Sequence, residues 1–335
     1  MKTLVISLER VEYTLDLIRN VYAPRGVEVL FLDEVGWRGT WGALKRHDAL
    51  VVNSYSKFKC VALLVLNAIF FRRPVGINSD SQLRIPVDPI RRNLKRLWLG
   101  WLFTRPWCWG FAAGTGSHRA FYRHYGMADR YIRQMPLMVD NARYAGIAER
   151  RDDDGACRFG YVGRLVAHKR VDVLIRAFAQ LVKRGLRVKL DIVGRGQEES
   201  RLKVLAMVCG VGEKVLFHGF LEGEDKVEAY RNMDVLVLPS AYEPWGLVVN
   251  EAMSSGIPVV VSEEVGARVD LVEKGGGLVV KPDNVEALAD AMGELATNPV
   301  SRRERGARAL AQMSQWDYRL YGRCWDDWMG ELCLR

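Results

Sequence analysis

The chain has 335 residues, about half of them hydrophobic and about a quarter charged, which excludes a disordered tract and is long enough for two domains with full cores. Its net charge of +9 is uneven: residues 1–150 hold 23 Lys/Arg against 12 Asp/Glu, and residues 151–335 hold 26 against 28. An anionic partner therefore belongs to the first half. Six cysteines (Cys60, Cys108, Cys157, Cys209, Cys324, Cys333) form no C-x-x-C pair, which argues against a zinc site or disulfide frame and for reduced thiols in a cytosolic protein.

In chain order, the opening "MKTLVISLER" reads as a first strand rather than a signal peptide. Strand-like runs follow at "VEVLFL", "DALVV", "PVGIN", "CWGFAAG" and "IRQMPLMV", with helical patterns between most of them. "CVALLVLNAIFF", 60–71, is too short to span a bilayer and predicts a buried helix. "IAERRDDDGA", 147–156, has the clustered charge of a linker. The pattern restarts with "RFGYVG", "VKLDIVG", "VLFHG", "VLVLP", "PVVVS" and "GLVV". The expected fold class is α/β: a first domain over 1–150, a second over 151–315, and a terminal helix over 316–335 packing near their junction. That helix is expected to carry Trp316, Trp325 and Trp328. Ligands of doubly wound sheets bind beyond the carboxyl ends of the strands, which predicts a site in a cleft between the domains.

Two stretches carry chemistry. In "FGYVGRLVAHKRVDVLIRAF", 159–178, a strand runs into Gly163 and a loop then presents Arg164, Lys169 and Arg170 before a helix starting near Val171. Cations converging with a positive helix end suit a pyrophosphate, each cation reaching a different phosphate; a solvated basic loop is the plainer reading. In "SAYEPWGLVVNEAM", 240–253, Pro244 and Gly246 give turn chemistry and a helix starts at Leu247. Glu243 precedes that helix and Glu251 lies about one turn into it. Both can face one cleft, where a carboxylate suits vicinal hydroxyls and free helix N–H groups suit a phosphate. On its own, the pair also reads as a helix-start charge and a surface residue.

These stretches, with "LDIVGRGQEESRLK", "VLFHGFL" and "EPWGLVVNEAMSSGIPVVVSEEVG", resemble in order and spacing the donor-domain motifs of the retaining two-Rossmann-domain (GT-B) glycosyltransferases, in particular family 4. The resemblance is strong over about 158–300 and covers the first half only in general layout. It implies two Rossmann-like doubly wound domains facing each other across a cleft, and metal-independent retaining transfer of a hexose from a nucleotide-diphosphate sugar, UDP- or GDP-linked. The acceptor it implies is a glycan or lipid-linked group in polysaccharide or lipid-glycan synthesis. Arg164 and Lys169 would neutralise the diphosphate, and Glu251 would accept ribose hydroxyls. Glu243 would hold the donor sugar, near Gly163 and the N–H groups of Trp245, Gly246 and Leu247. Gly194 and Gly196 would let backbone approach the nucleotide, and Phe220 and Leu221 would line the base pocket. No metal or other cofactor is expected.

Departures and competing readings are specific. The place of the family's first Gly-rich loop reads "SLERVEYTLDL", and of its later Gly-Gly pair only Gly266 remains in "EVGARVD". These losses are the support for a second class of function, a catalytically silent nucleotide- or partner-binding relative. Asp152 and Asp154 form a D-x-D in the linker, which reads as solvated charge. "DPIRRNLKRLWLGWLFTRPWCW", 88–109, mixes Arg91, Arg92, Lys95, Arg96 and Arg105 with Trp98, Trp101, Phe103, Trp107 and Trp109. That mixture predicts either a peripheral contact with an anionic membrane on its cytoplasmic face or an ordinary helix with its aromatics in the core. No contiguous surface for nucleic acid is apparent. "GTGSHRAFYRHYG", 114–126, is a candidate acceptor segment, with His118 as proton acceptor or a residue beside a helix cap.

Overall fold

The computed structural model describes residues 1–7, 10–32, 34, 37–145 and 155–334. The linker's acidic run, Asp152 and Asp154 included, lies outside them, as do residues 8 and 9 of the first loop. Contacts divide the chain into one unit of Met1–Met138 with Trp316–Arg335 and another of Val139–Gln315.

The first unit contains β1 (Thr3–Ser7), α1 (Glu12–Leu17), β2 (Glu28–Phe31), α2 (Trp37–Arg46), β3 (Ala49–Val52), α3 (Phe58–Leu66), β4 (Val75–Ser79), α4 (Pro89–Phe103), β5 (Cys108–Ala112), α5 (Ser117–His124) and β6 (Ile132–Gln134). Its described strands form a parallel sheet in the order β2-β1-β3-β4-β5-β6. Strands buried on both faces need continuous β-branched and aliphatic runs, and "TLVIS" and "ALVV" are fully buried. β6 is shorter than the predicted "IRQMPLMV": Pro136 has no N–H for a ladder, and pairing stops at Gln134. The run 60–71 is helical but buried on one face only. Cys60, Leu63 and Leu64 are inside, whereas Ile69 and Phe70, in a π-helical turn after α3, are exposed.

The second unit contains β7 (Cys157–Val162), α6 (Val171–Lys183), β8 (Val188–Val193), α7 (Glu199–Val208), β9 (Val215–Gly219), α8 (Gly223–Arg231), β10 (Val235–Leu238), α9 (Leu247–Ser254), β11 (Val259–Ser262), β12 (Gly277–Val280), α10 (Val285–Thr297) and α11 (Pro299–Met313). Its parallel order is β12-β11-β10-β7-β8-β9. Both sheets are the α/β arrangement expected, and among the described residues no helix is long and apolar enough to cross a membrane.

The last helix, α12 (Tyr318–Cys333), belongs to the first unit. Tyr321 shares a hydrogen bond of 2.6 Å with Tyr22, Trp328 packs edge-on against Phe111, and Arg25 clasps Asp326 through two nitrogens. Trp316 precedes this helix rather than lying on it, its indole N–H donating to the Leu137 carbonyl at 2.8 Å. Residues 139–145, expected in the first domain, group with the second: Asn141 donates to Met313 O and Tyr144 meets Tyr230 edge-on. All six cysteines are free thiols.

Burial sets an alkaline limit. It pushes the Tyr13 phenol up to about 12 and the Cys60 thiol up to about 11, and raises Tyr122, Tyr230 and Tyr321 well above the usual tyrosine value. The unfolded chain gives up these protons at lower pH than the folded one. The stability they contribute is thus complete below about pH 9 and is lost as the pH climbs past about 10. Denaturant midpoints across that range are expected to hold flat and then fall; a midpoint still level near pH 11, about a unit above the free phenol, would contradict the burial of these groups.

Candidate active site

The chemistry-bearing residues of the second unit gather where its strands end, on loops tied to one another. β7 runs into Gly163–Arg170, and Leu165 N–H donates to Arg195 O at 2.9 Å in the loop after β8. Gly194 N–H donates to Gly219 O, at the end of β9, at 2.7 Å. Ala241 N–H, after β10, donates to His168 O at 2.8 Å. Glu243 N–H donates to Glu264 O at 3.1 Å and Gly266 N–H to Glu243 O at 3.0 Å, a short parallel bridge with the loop after β11. Arg170, in the left-handed region at φ 55°, ion-pairs with Asp283 of the loop after β12 and with Asp172. Residues far apart in sequence thus share one rigid rim.

On that rim the Lys169 ammonium pairs directly with the Glu243 carboxylate, and both residues are 9 % exposed. Two charges so nearly desolvated are tolerated only as partners. Tyr161 donates its phenolic proton to Arg164 O at 3.0 Å. Its pKa is held far above normal, first by burial and then by the Glu243 charge, with Arg164 pulling the other way. One buried phenol thus feels both Arg164 and Glu243, which places cation and acid around the same point.

Gly246, at φ 95°, caps α9, and a side chain there would press on Glu243, Leu238 and Val265 at 3.2–3.3 Å. Glycine is what lets the chain turn while Glu243 keeps its place. The amides of Gly246 and Leu247 donate to no group among the described residues, as expected for a helix start that can bind an anion. Trp245 is a core side chain, its indole N–H donating to Asn250 at 2.8 Å.

Glu251 has a different set of partners. Lys226 of α8 donates to one carboxylate oxygen and Tyr230 to the other, each at 2.6 Å, and the residue is 6 % exposed. Sequence reading missed both; their i, i+4 spacing on α8 was the available signal. Phe220, by contrast, stands exposed directly after Gly219, with Leu221 half-buried beside it.

A family model described as "Glycosyl transferases group 1" matches residues 148–312. Those residues belong to that family. The chain is 40% identical over 129 residues to an uncharacterized glycosyltransferase of Methanocaldococcus jannaschii, covering 38% of this chain and 33% of that one. It is 38% identical over 167 residues to a D-inositol 3-phosphate glycosyltransferase of Saccharomonospora viridis, covering 47% and 39%. The chain therefore spans about a third to two-fifths of these curated relatives' length. Its fold matches the crystal structure of Anabaena HepE in complex with UDP with a TM-score of 0.81, over 99% of this chain and 100% of that one, at 19% identity. At that identity the match establishes the fold alone, which is the GT-B fold.

Two expectations for the group 1 region change. A side chain at Gly194 would lie 1.8 Å from Gly163 O, and one at Gly196 would lie 2.1 Å from Leu165 O. What these glycines admit is the neighbouring loop, so the approach of backbone to backbone already requires them. The two acids, moreover, do not share partners: Glu243 belongs with Lys169, and Glu251 with Lys226 and Tyr230. His118 lies on α5 of the first unit and is 1 % exposed, outside the loops that carry the other candidates.

Proposed function

We propose that the chain is a glycosyltransferase that moves a hexose, with retention and without a metal, from a nucleotide-diphosphate sugar to a glycan or lipid-linked acceptor. One observation carries the reading: a group 1 region presents the Lys169–Glu243 pair, Arg164 and the amides of Gly246 and Leu247, which have no acceptor among the described residues, together on one rim. Arg164 and Lys169 neutralise the diphosphate as its bond to the anomeric carbon breaks, aided by the α9 amides, a role metal ions fill elsewhere. Glu243 holds the sugar and Glu251 the ribose hydroxyls, while Phe220 and Leu221 offer an apolar surface to the base. The acceptor oxygen attacks on the face the diphosphate leaves, so the departing phosphate oxygen is the nearest base. The burial of His118 disfavours it for that step. UDP is the first donor nucleotide to try, because HepE was solved with it. Family 4 is the subgroup the motif spacing favours, in polysaccharide or lipid-glycan synthesis on the cytoplasmic side, with the first unit peripheral to the membrane.

A thermal-shift panel of UDP-, GDP- and ADP-sugars tests this. One nucleotide at about a hundredfold excess over its Kd is expected to raise Tm by about 3–6 °C. A flat profile across the panel removes the donor site. Stabilisation with no turnover in any acceptor mixture favours the catalytically silent relative.

A further inference from the structure

We propose that α4 of the first unit is a docking face for a bilayer rich in anionic phospholipid. The helix starts cleanly, with the Asp88 carboxylate accepting from the Ile90 and Arg91 amides at 2.8 and 3.3 Å and Pro89 in its first turn. Leu99, Leu102 and Phe103 bury one side of it. The opposite side is also apolar. Ile90, Leu94 and Leu97 recur at helical spacing and are 70, 62 and 72 % exposed, and Val87 extends the stripe before the helix begins. A helix that needed only to cover its sheet would turn polar residues outward.

Charge identifies the occupant. α4 contains no acidic residue. At about 100° per residue, Arg91 falls on one flank of the stripe and Arg96 on the other, while Arg92 points away from it. Arg92 and Arg96 have no ion pair among the described residues, and Arg91 reaches only its neighbour Asp88, at 3.8 Å. An apolar stripe flanked by exposed arginines suits acyl chains below and phosphate headgroups beside them. The structure also sorts the predicted segment. Lys95 turns inward over the rings of Tyr55, Phe121 and Tyr125, and burial lowers its pKa. Trp98 donates to Tyr55 O at 2.8 Å and stacks on Trp101, and Phe103, Trp107 and Trp109 are core. The tryptophans are therefore structural, and the aliphatic residues between them form the docking face.

The test is flotation of the full chain with vesicles of phosphatidylcholine alone or with one-third phosphatidylglycerol, without any nucleotide sugar, so that it stands or falls separately from the transferase reading. Binding is expected to the anionic vesicles only and to weaken with salt. The Arg91→Ser/Arg96→Ser variant is expected to lose roughly thirtyfold in partitioning. The Ile90→Ser/Leu94→Ser/Leu97→Ser variant is expected to lose about tenfold or more. Both should keep the wild-type melting temperature, since all five side chains are exposed. No binding to anionic vesicles, or binding that survives in both variants, overturns the proposal. So does a wild-type dimer in light scattering that the aliphatic variant abolishes, because the face would then belong to a second copy of the chain.

Discussion

Lys169→Ala is expected to cost about 3 kcal/mol of stability and to lower sugar transfer by about a hundredfold or more. The stability loss arises because Glu243 is left charged and almost wholly out of water, with its ammonium partner gone. The rate loss arises because a cation aimed at the leaving diphosphate acts mainly in the transition state. The two effects separate in a second variant. Lys169→Met with Glu243→Leu removes both charges and keeps similar volume, so stability should largely return while transfer stays lost. Denaturant melts and nucleoside diphosphate release on the three proteins give the answer. Transfer that recovers together with stability would make the pair a packing device and nothing more.

The second large effect is expected at Glu251. Glu251→Ala should weaken donor affinity by roughly ten- to a hundredfold, the range for lost hydrogen bonds to a charged group. It should also leave the Lys226 ammonium and the Tyr230 hydroxyl without their shared acceptor. Those two residues take one carboxylate oxygen each, and each oxygen retains room for another donor. They therefore aim the carboxylate rather than block it. Lys226→Met and Tyr230→Phe are each expected to weaken affinity by only about fivefold. Tighter binding in Lys226→Met would show that the lysine competes with the ribose.

Much of this was legible in the sequence because parallel strands buried on both faces leave dense β-branched runs. Among the described residues ten of the twelve strands fall inside runs read beforehand, and β4 and β7 overrun theirs by one residue, Ser79 and Cys157. The start of α9 was equally plain from Pro244, Gly246 and the apolar spacing after Leu247. What stayed hidden was pairing in space. In "GEDKVEAYR" the i, i+4 spacing puts Lys226 and Tyr230 on one helix face, but it does not point to a glutamate twenty-odd residues on as their partner. Nor does "EVGARVD" announce that its backbone pins Glu243. The tight contacts at Gly194 and Gly196 likewise look, in sequence, like space kept for a ligand. In 88–109 composition alone could not sort the aromatics. Trp107 and Trp109 belong to the sheet's core, and the exposed face is made of Ile and Leu.

We propose that Arg164, Lys169 and Glu243 on one rim, together with Glu251 of α9, form a nucleoside-diphosphate site. Isothermal titration of UDP and GDP into the wild type, Lys169→Ala and Glu251→Ala proteins tests it most directly. One of the two nucleotides should bind the wild type at a single site, with affinity reduced at least about tenfold in each variant. Neither nucleotide binding the wild type, or one binding all three proteins equally, would contradict it.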